Sequence, residues 1–90
     1  MINKCGIELG NVVKSIAGRD KGMFFVVVGI DEDEKYIYLV DGDIRKVENP
    51  KRKKIKHIEL TNYSDEVLTE RIIKKRKLTN QEVKRFLREI

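Results

Sequence analysis

The sequence predicts a mainly β domain, a small barrel of about five short strands followed by a C-terminal helical extension. Three observations lead there. Apolar, β-branched runs of four to eight residues recur between Gly-bearing or acidic breaks from Val12 to Val47. After Asn62 the apolar period changes from two toward 3.6 residues. Ninety residues allow one small core, which buries only about 60% of the surface of the unfolded chain, so a binding surface is expected rather than a deep enclosed site.

The elements follow in order. Ile2, Ile7 and Leu9 are expected to pack on the domain, and Cys5, with no base beside it, to be a small filler. Val12 to Ile16 suits a short strand. Ala17-Gly18-Arg19-Asp20-Lys21-Gly22 is a tight connection whose glycines accept positive φ and which carries two cations. Met23 to Ile30 is apolar on both faces and reads as the most buried strand. Asp31 to Glu34 breaks it with four like charges, and Tyr36 to Val40 completes a hairpin. The four carboxylates diverge along a turn and lack the spacing of a calcium loop, so no metal is expected.

Asp41-Gly42-Asp43 is a second turn signal, and Ile44 to Val47 is predicted as a fourth short strand. Pro50, the only proline, places a loop or sheet edge after it. The fifth strand is predicted within Lys51 to Leu60, with Lys54, Lys56, Ile58 and Leu60 of one parity, beginning basic and ending in the core. Its basic half cannot be buried without partners. Ser64 is predicted to cap a helix whose first turn holds Asp65 and Glu66. Thr79-Asn80-Gln81-Glu82 is a capping box, and Val83, Phe86, Leu87 and Ile90 recur at i, i+3, i+4 and i+7, the clearest helical signal in the chain. The domain boundary is therefore drawn between residues 1–62 and 63–90.

Charge is unevenly distributed. Residues 1–50 hold seven Lys/Arg against nine Asp/Glu, whereas residues 51–90 hold thirteen against six, so the net +5 is concentrated in the second part. Local basic character of this kind fits a polyanion partner. One cysteine excludes an intrachain disulfide and a cysteine metal cluster, and fits a reducing setting. The longest apolar run, Met23 to Val28, falls far short of the ~20 residues that cross a bilayer, and the N-terminus has no leader pattern, so a cytoplasmic protein with no membrane contact is expected. Catalytic chemistry is thin: a Ser-His-Asp arrangement would rest wholly on His57, which lies among lysines, and neither phosphate-cradling glycine motif occurs. No enzyme activity and no cofactor are expected.

Leu9 to Val13, Ala17 to Gly22 and the valine run that follows resemble the KOW motif of RNA-binding and ribosomal proteins. With Phe25 to Val28, Val40 to Glu48 and Pro50 to His57, the chain resembles the family of the large-subunit ribosomal protein fourteen of archaeal and eukaryotic type and its bacterial KOW-domain relatives, over about residues 7–60. Here Gly22 is followed directly by Met23, Phe24 and Phe25, where many KOW hairpins have a further glycine pair, and the tail from Ser64 lies outside the matched motifs.

The resemblance implies an SH3-like barrel that binds structured RNA, ribosomal RNA above all, without catalysis. The cations fall at the barrel's connections: Arg19 and Lys21, then Arg45 and Lys46, then Lys51, Arg52, Lys53, Lys54 and Lys56, with His57 placed to contact a phosphate or a base. Loops converging at one end of a barrel would join them into one patch, on a protein that is monomeric when free. The other reading is an adaptor in a translation or transcription complex that docks ribosomal or transcription proteins through Val83, Phe86, Leu87 and Ile90, if that helix stands away from the barrel.

Overall fold

The computed structural model describes residues 6–90, so the expectations for Ile2 and Cys5 lie outside the described residues. Five antiparallel strands form one sheet: β1 (Asn11–Ser15), β2 (Phe24–Ile30), β3 (Tyr36–Val40), β4 (Lys51–Lys54) and β5 (Ile58–Ser64), in the order β4-β3-β2-β1-β5. Helices α1 (Glu66–Ile73) and α2 (Asn80–Arg88) follow. The mainly β class with a helical C-terminus is as predicted.

The strand order has a geometric consequence. β4 and β5 are the two edges, yet only the single 3₁₀ turn Ile55–His57 separates them in the chain. A flat sheet would hold these edges about 19 Å apart at ~4.8 Å per strand spacing, whereas the step from Lys54 to Ile58 can span at most ~14 Å. The sheet therefore curls strongly on itself. No ladder joins β4 to β5 among the described residues.

Both faces of the central strands are buried. Val13 of β1, Phe25 and Val27 of β2, and Ile37 and Leu39 of β3 point into the concave core with Ile7, Ile55 and Ile58. On the convex face Val12, Val26 and Val40 stand in register across β1, β2 and β3, and Val83 of α2 completes that cluster with no exposure of its own. Val28, Ile72, Leu78, Phe86 and Leu87 pack around it. This second core explains why β2 lacks the alternation of a half-solvated strand. Ile72, Leu78, Val83, Phe86 and Leu87 of the tail share this core with the sheet, and position 62/63 lies inside β5. The apolar stripe that the adaptor reading requires to be free is occupied by the sheet at Val83, Phe86 and Leu87, whereas Ile90 is exposed.

The helices sit close because glycine lets them. A Cβ on Gly42, which has φ +78°, would run into the Asn80 carbonyl at the start of α2, and one on Gly10 would run into Thr69 of α1. The Asn80 side chain then accepts from the Val47 amide at 2.8 Å and donates to the Glu48 carboxylate at 3.0 Å, a bond that holds the Glu48 carboxyl below its usual range.

Three predicted boundaries change. Ile44 to Val47 is a loop, not a strand, since its backbone is satisfied elsewhere: Asp41 Oδ1 accepts from the amides of Asp43 and Arg45, and the Arg45 carbonyl accepts from Asp41 and Gly42. The outer partner of β3 is instead Lys51–Lys54, in register Tyr36↔Lys54 to Leu39↔Lys51. The single strand predicted over 51–60 is broken by the 3₁₀ turn, which resets the parity, so Ile55 and Ile58 are buried while Leu60 is 41% exposed. Finally, Asp65 rather than Ser64 caps α1, accepting from the Val67 and Leu68 amides at 2.8 and 3.1 Å, because Ser64 is still paired with Asn11 in β5. Thr79 caps α2 as predicted, by accepting from the Glu82 amide at 3.2 Å, but the Glu82 carboxylate reaches Arg71 of α1 instead of closing the capping box.

Because Val83 and Phe86 belong to the convex core, Val83→Ala lowers stability by about 2 kcal/mol and Phe86→Ala by more, from lost burial and the cavity left behind. Urea titration followed by circular dichroism measures both; losses below ~0.5 kcal/mol would mean that α2 is not docked on the sheet.

Candidate nucleic-acid interface

The β1–β2 connection is built around a buried carboxylate. Asp20 is 9% exposed and lies between Arg19 and Lys21, whose side chains face solvent. Its Oδ1 accepts from the Ser15 hydroxyl at 2.6 Å and from Lys53 Nζ at 2.7 Å, and its Oδ2 accepts from Lys51 Nζ at 2.6 Å. Lys53 Nζ also donates to the Ala17 carbonyl at 2.8 Å. Burial alone would raise the Asp20 pKa, but the bonds from Lys51, Lys53 and Ser15 together outweigh it and hold the carboxyl far below the usual carboxylate range.

Strand alternation explains how a Lys-Arg-Lys-Lys segment supplies these partners. Opposite Leu39 and Ile37, Lys51 and Lys53 point inward, and Lys53 is only 7% exposed. The basic half of this segment was expected not to be buried without partners, and the partner that allows the burial of Lys53 is Asp20. Opposite Tyr38 and Tyr36, Arg52 and Lys54 point outward. The Arg52 guanidinium stacks 3.7 Å from the centroid of the Tyr36 ring and donates to Asp31 Oδ2 at 3.0 Å. The Tyr38 hydroxyl and the Arg52 guanidinium hold the Asp31 carboxyl below its usual range, and the same contact with Asp31 raises the affinity of Arg52 for its proton.

The predicted cations thus fall into distinct groups. Pairing of β1, β2, β3 and β4 puts the β1–β2 and β3–β4 connections at the same end of the sheet, so Arg19, Lys21, Arg45, Lys46 and Lys51 share that end. Arg45 is half-buried there, and Lys46 leaves the group to line a groove of about 740 Å³ on the α2 side. Lys54 and Lys56 border a separate groove of about 380 Å³ beside Tyr36 and Lys35. His57 is half-buried, and its carbonyl accepts from the Ile16 amide at 3.0 Å. Arg19, Lys21, Lys46, Lys54 and Lys56 are exposed and make no ion pair among the described residues.

Sequence reading missed the partners of Lys46. Lys84, Arg85 and Arg88 line its groove from the polar face of α2, spaced i, i+1 and i+4. The signal lies in the sequence, since a helix with one apolar stripe must present its other residues on the opposite face. No group of three or more His, Cys, Asp or Glu side chains converges among the described residues, and no helix of the structure is long and apolar enough to cross a membrane.

The Asp20 cluster can be tested by substitution and by acid. Asp20→Asn leaves Lys53 buried without its counter-ion and costs roughly 3 kcal/mol, whereas Lys53→Met, which keeps the stem and leaves Asp20 paired with Lys51, costs about 1 kcal/mol or less. Because the folded pKa of Asp20 is depressed, its contribution is complete above about pH 5 and is lost as pH falls below ~4 toward the folded value. Urea stability measured from pH 6 to pH 2.5 therefore falls less steeply in Asp20→Asn than in the unaltered protein; parallel curves would show that the carboxylate does not couple to folding.

Compared with protein-family models and with curated proteins, the chain matches none.

Proposed function

We propose that this protein binds structured RNA, ribosomal RNA in the first instance, as a non-catalytic KOW-type module acting in the cytoplasm. The observation that carries the reading is the Asp20 cluster. It ties a loop with outward Arg19 and Lys21 to a strand whose outer side offers Lys54 and an Arg52 stacked on Tyr36. A loop pinned by a buried carboxylate loses little freedom when its cations engage phosphate, which lowers the cost of binding. Arginine adds charge-assisted bonds to phosphate oxygens, and an aromatic ring at the same surface suits an unstacked base.

Such a surface positions an RNA more than it reads sequence, since most of its donors meet phosphate. The apolar stripe of α2 supports no adaptor function, because Val83, Phe86 and Leu87 are engaged with the sheet. The resemblance of residues 7–60 to ribosomal KOW proteins agrees with the RNA reading.

With about six phosphate contacts, the logarithm of affinity for large-subunit ribosomal RNA falls with the logarithm of salt at a slope of roughly −4 to −5, and Arg19→Gln with Lys21→Gln makes it shallower by roughly 2. Those exposed changes leave the melting temperature nearly unaltered. Binding that ignores salt, or a double variant that binds as the unaltered protein does, would remove this surface from the interface. Crosslinking in cells with sequencing of the bound RNA identifies the target directly.

A further inference from the structure

We propose that the turn between α1 and α2 is a second RNA contact, one that takes an unpaired segment of the strand. The inference rests on the RNA reading above but concerns a different face of the molecule. α1 ends in a reversal closed by the Arg76 amide on the Arg71 carbonyl at 2.8 Å, with Lys75 at φ +55°. This left-handed position after a helix is one that glycine fills without strain, and a lysine there is conformationally disfavoured. The strained residue begins the run Lys75-Arg76-Lys77, all three exposed and without an ion pair among the described residues. Their neighbours are already engaged: Arg71 pairs with Glu82 and Lys74 with Glu70.

Beneath these three cations lies a groove of about 400 Å³ with an apolar floor of Val28, Val47, Ile72 and Leu78. Glu48 also lines it, with its carboxylate held by the Asn80 amide. A helix C-terminus accounts for cations in its last turn and the convex core for the buried side of the floor, but neither accounts for a lysine where glycine fits better, nor for the side of that floor left open beneath the three cations. A partner with an anionic backbone and an apolar attachment satisfies both. In an RNA duplex the bases are turned inward and only phosphates would be reached; an unpaired nucleotide can place phosphate on Lys75 to Lys77 and its base over the floor.

The full chain is tested by fluorescence anisotropy against labelled oligouridylate of about twenty nucleotides and against a duplex RNA of the same length. Lys75→Gly with Arg76→Gln and Lys77→Gln is expected to lower affinity for oligouridylate about tenfold and to make its salt slope shallower by roughly 2, with a smaller loss on the duplex. Lys75→Gly alone is expected to raise the melting temperature by about 4 °C while weakening oligouridylate binding. The inference is overturned, with the RNA reading intact, if the triple variant binds oligouridylate like the unaltered protein while Arg19→Gln with Lys21→Gln does not. It is also overturned if Lys75→Gly stabilises without weakening binding, or if the triple change abolishes only binding to phosphatidylserine vesicles. Failure of the unaltered protein to bind oligouridylate while it binds large-subunit ribosomal RNA overturns the inference alone; failure to bind either overturns both readings.

Discussion

The carboxylate of Asp20 holds the β1–β2 connection against β4. Two lysines and a serine converge on it within 2.7 Å, and without it the inward lysines of β4 would have no counter-charge. A charge taken out of water is tolerated only when paired and hydrogen-bonded, and here one acid serves two ammonium groups while Lys53 finds a further acceptor in Ala17. β4 contains no β-branched or aromatic residue, so its strand conformation derives from the ladder with β3 and from this cluster rather than from propensity. The exposure of Arg52 and Lys54 on its other side follows from the same alternation.

The second organising constraint is the apolar convex face. Val12, Val26 and Val40 form a row that water would otherwise meet, and α2 covers it through Val83. Covering it brings α2 against Gly42 and puts Asn80 in reach of Val47 and Glu48, so the β3–β4 connection is shaped by the helix as much as by its own Asp41 turn. The same docking turns Lys84, Arg85 and Arg88 toward Lys46 and leaves Lys75, Arg76 and Lys77 of the α1–α2 reversal at the surface, without an ion pair among the described residues. Structural and charged faces of the C-terminal helices are thus two sides of one packing arrangement.

Charge in this protein has divided roles. Some cations are structural, as Lys51 and Lys53 are; some are held in place by an acid or a ring, as Arg52 is; others are exposed with no ion pair among the described residues, as Arg19, Lys21, Lys54 and Lys56 are. A count of Lys and Arg along the sequence cannot tell these apart, because what decides is which side of a strand a residue occupies and what acid lies across from it. These exposed cations occupy more than one face.

By itself the sequence determined the central hairpins, the burial of β2, the Thr79 cap and the amphipathic α2, since these rest on local periodicity and turn chemistry that need no distant partner. It merged β4 with β5 and misread Ile44 to Val47 because the deciding contacts are remote: Lys53 meets Asp20 thirty-three positions away, and the Val47 amide meets Asn80 at the same separation. It showed that Val83, Phe86 and Leu87 share a face, but only the tertiary structure decided that the sheet covers that face. Apolar periodicity states what must leave water, whereas the surface that receives it is set by how the chain returns on itself.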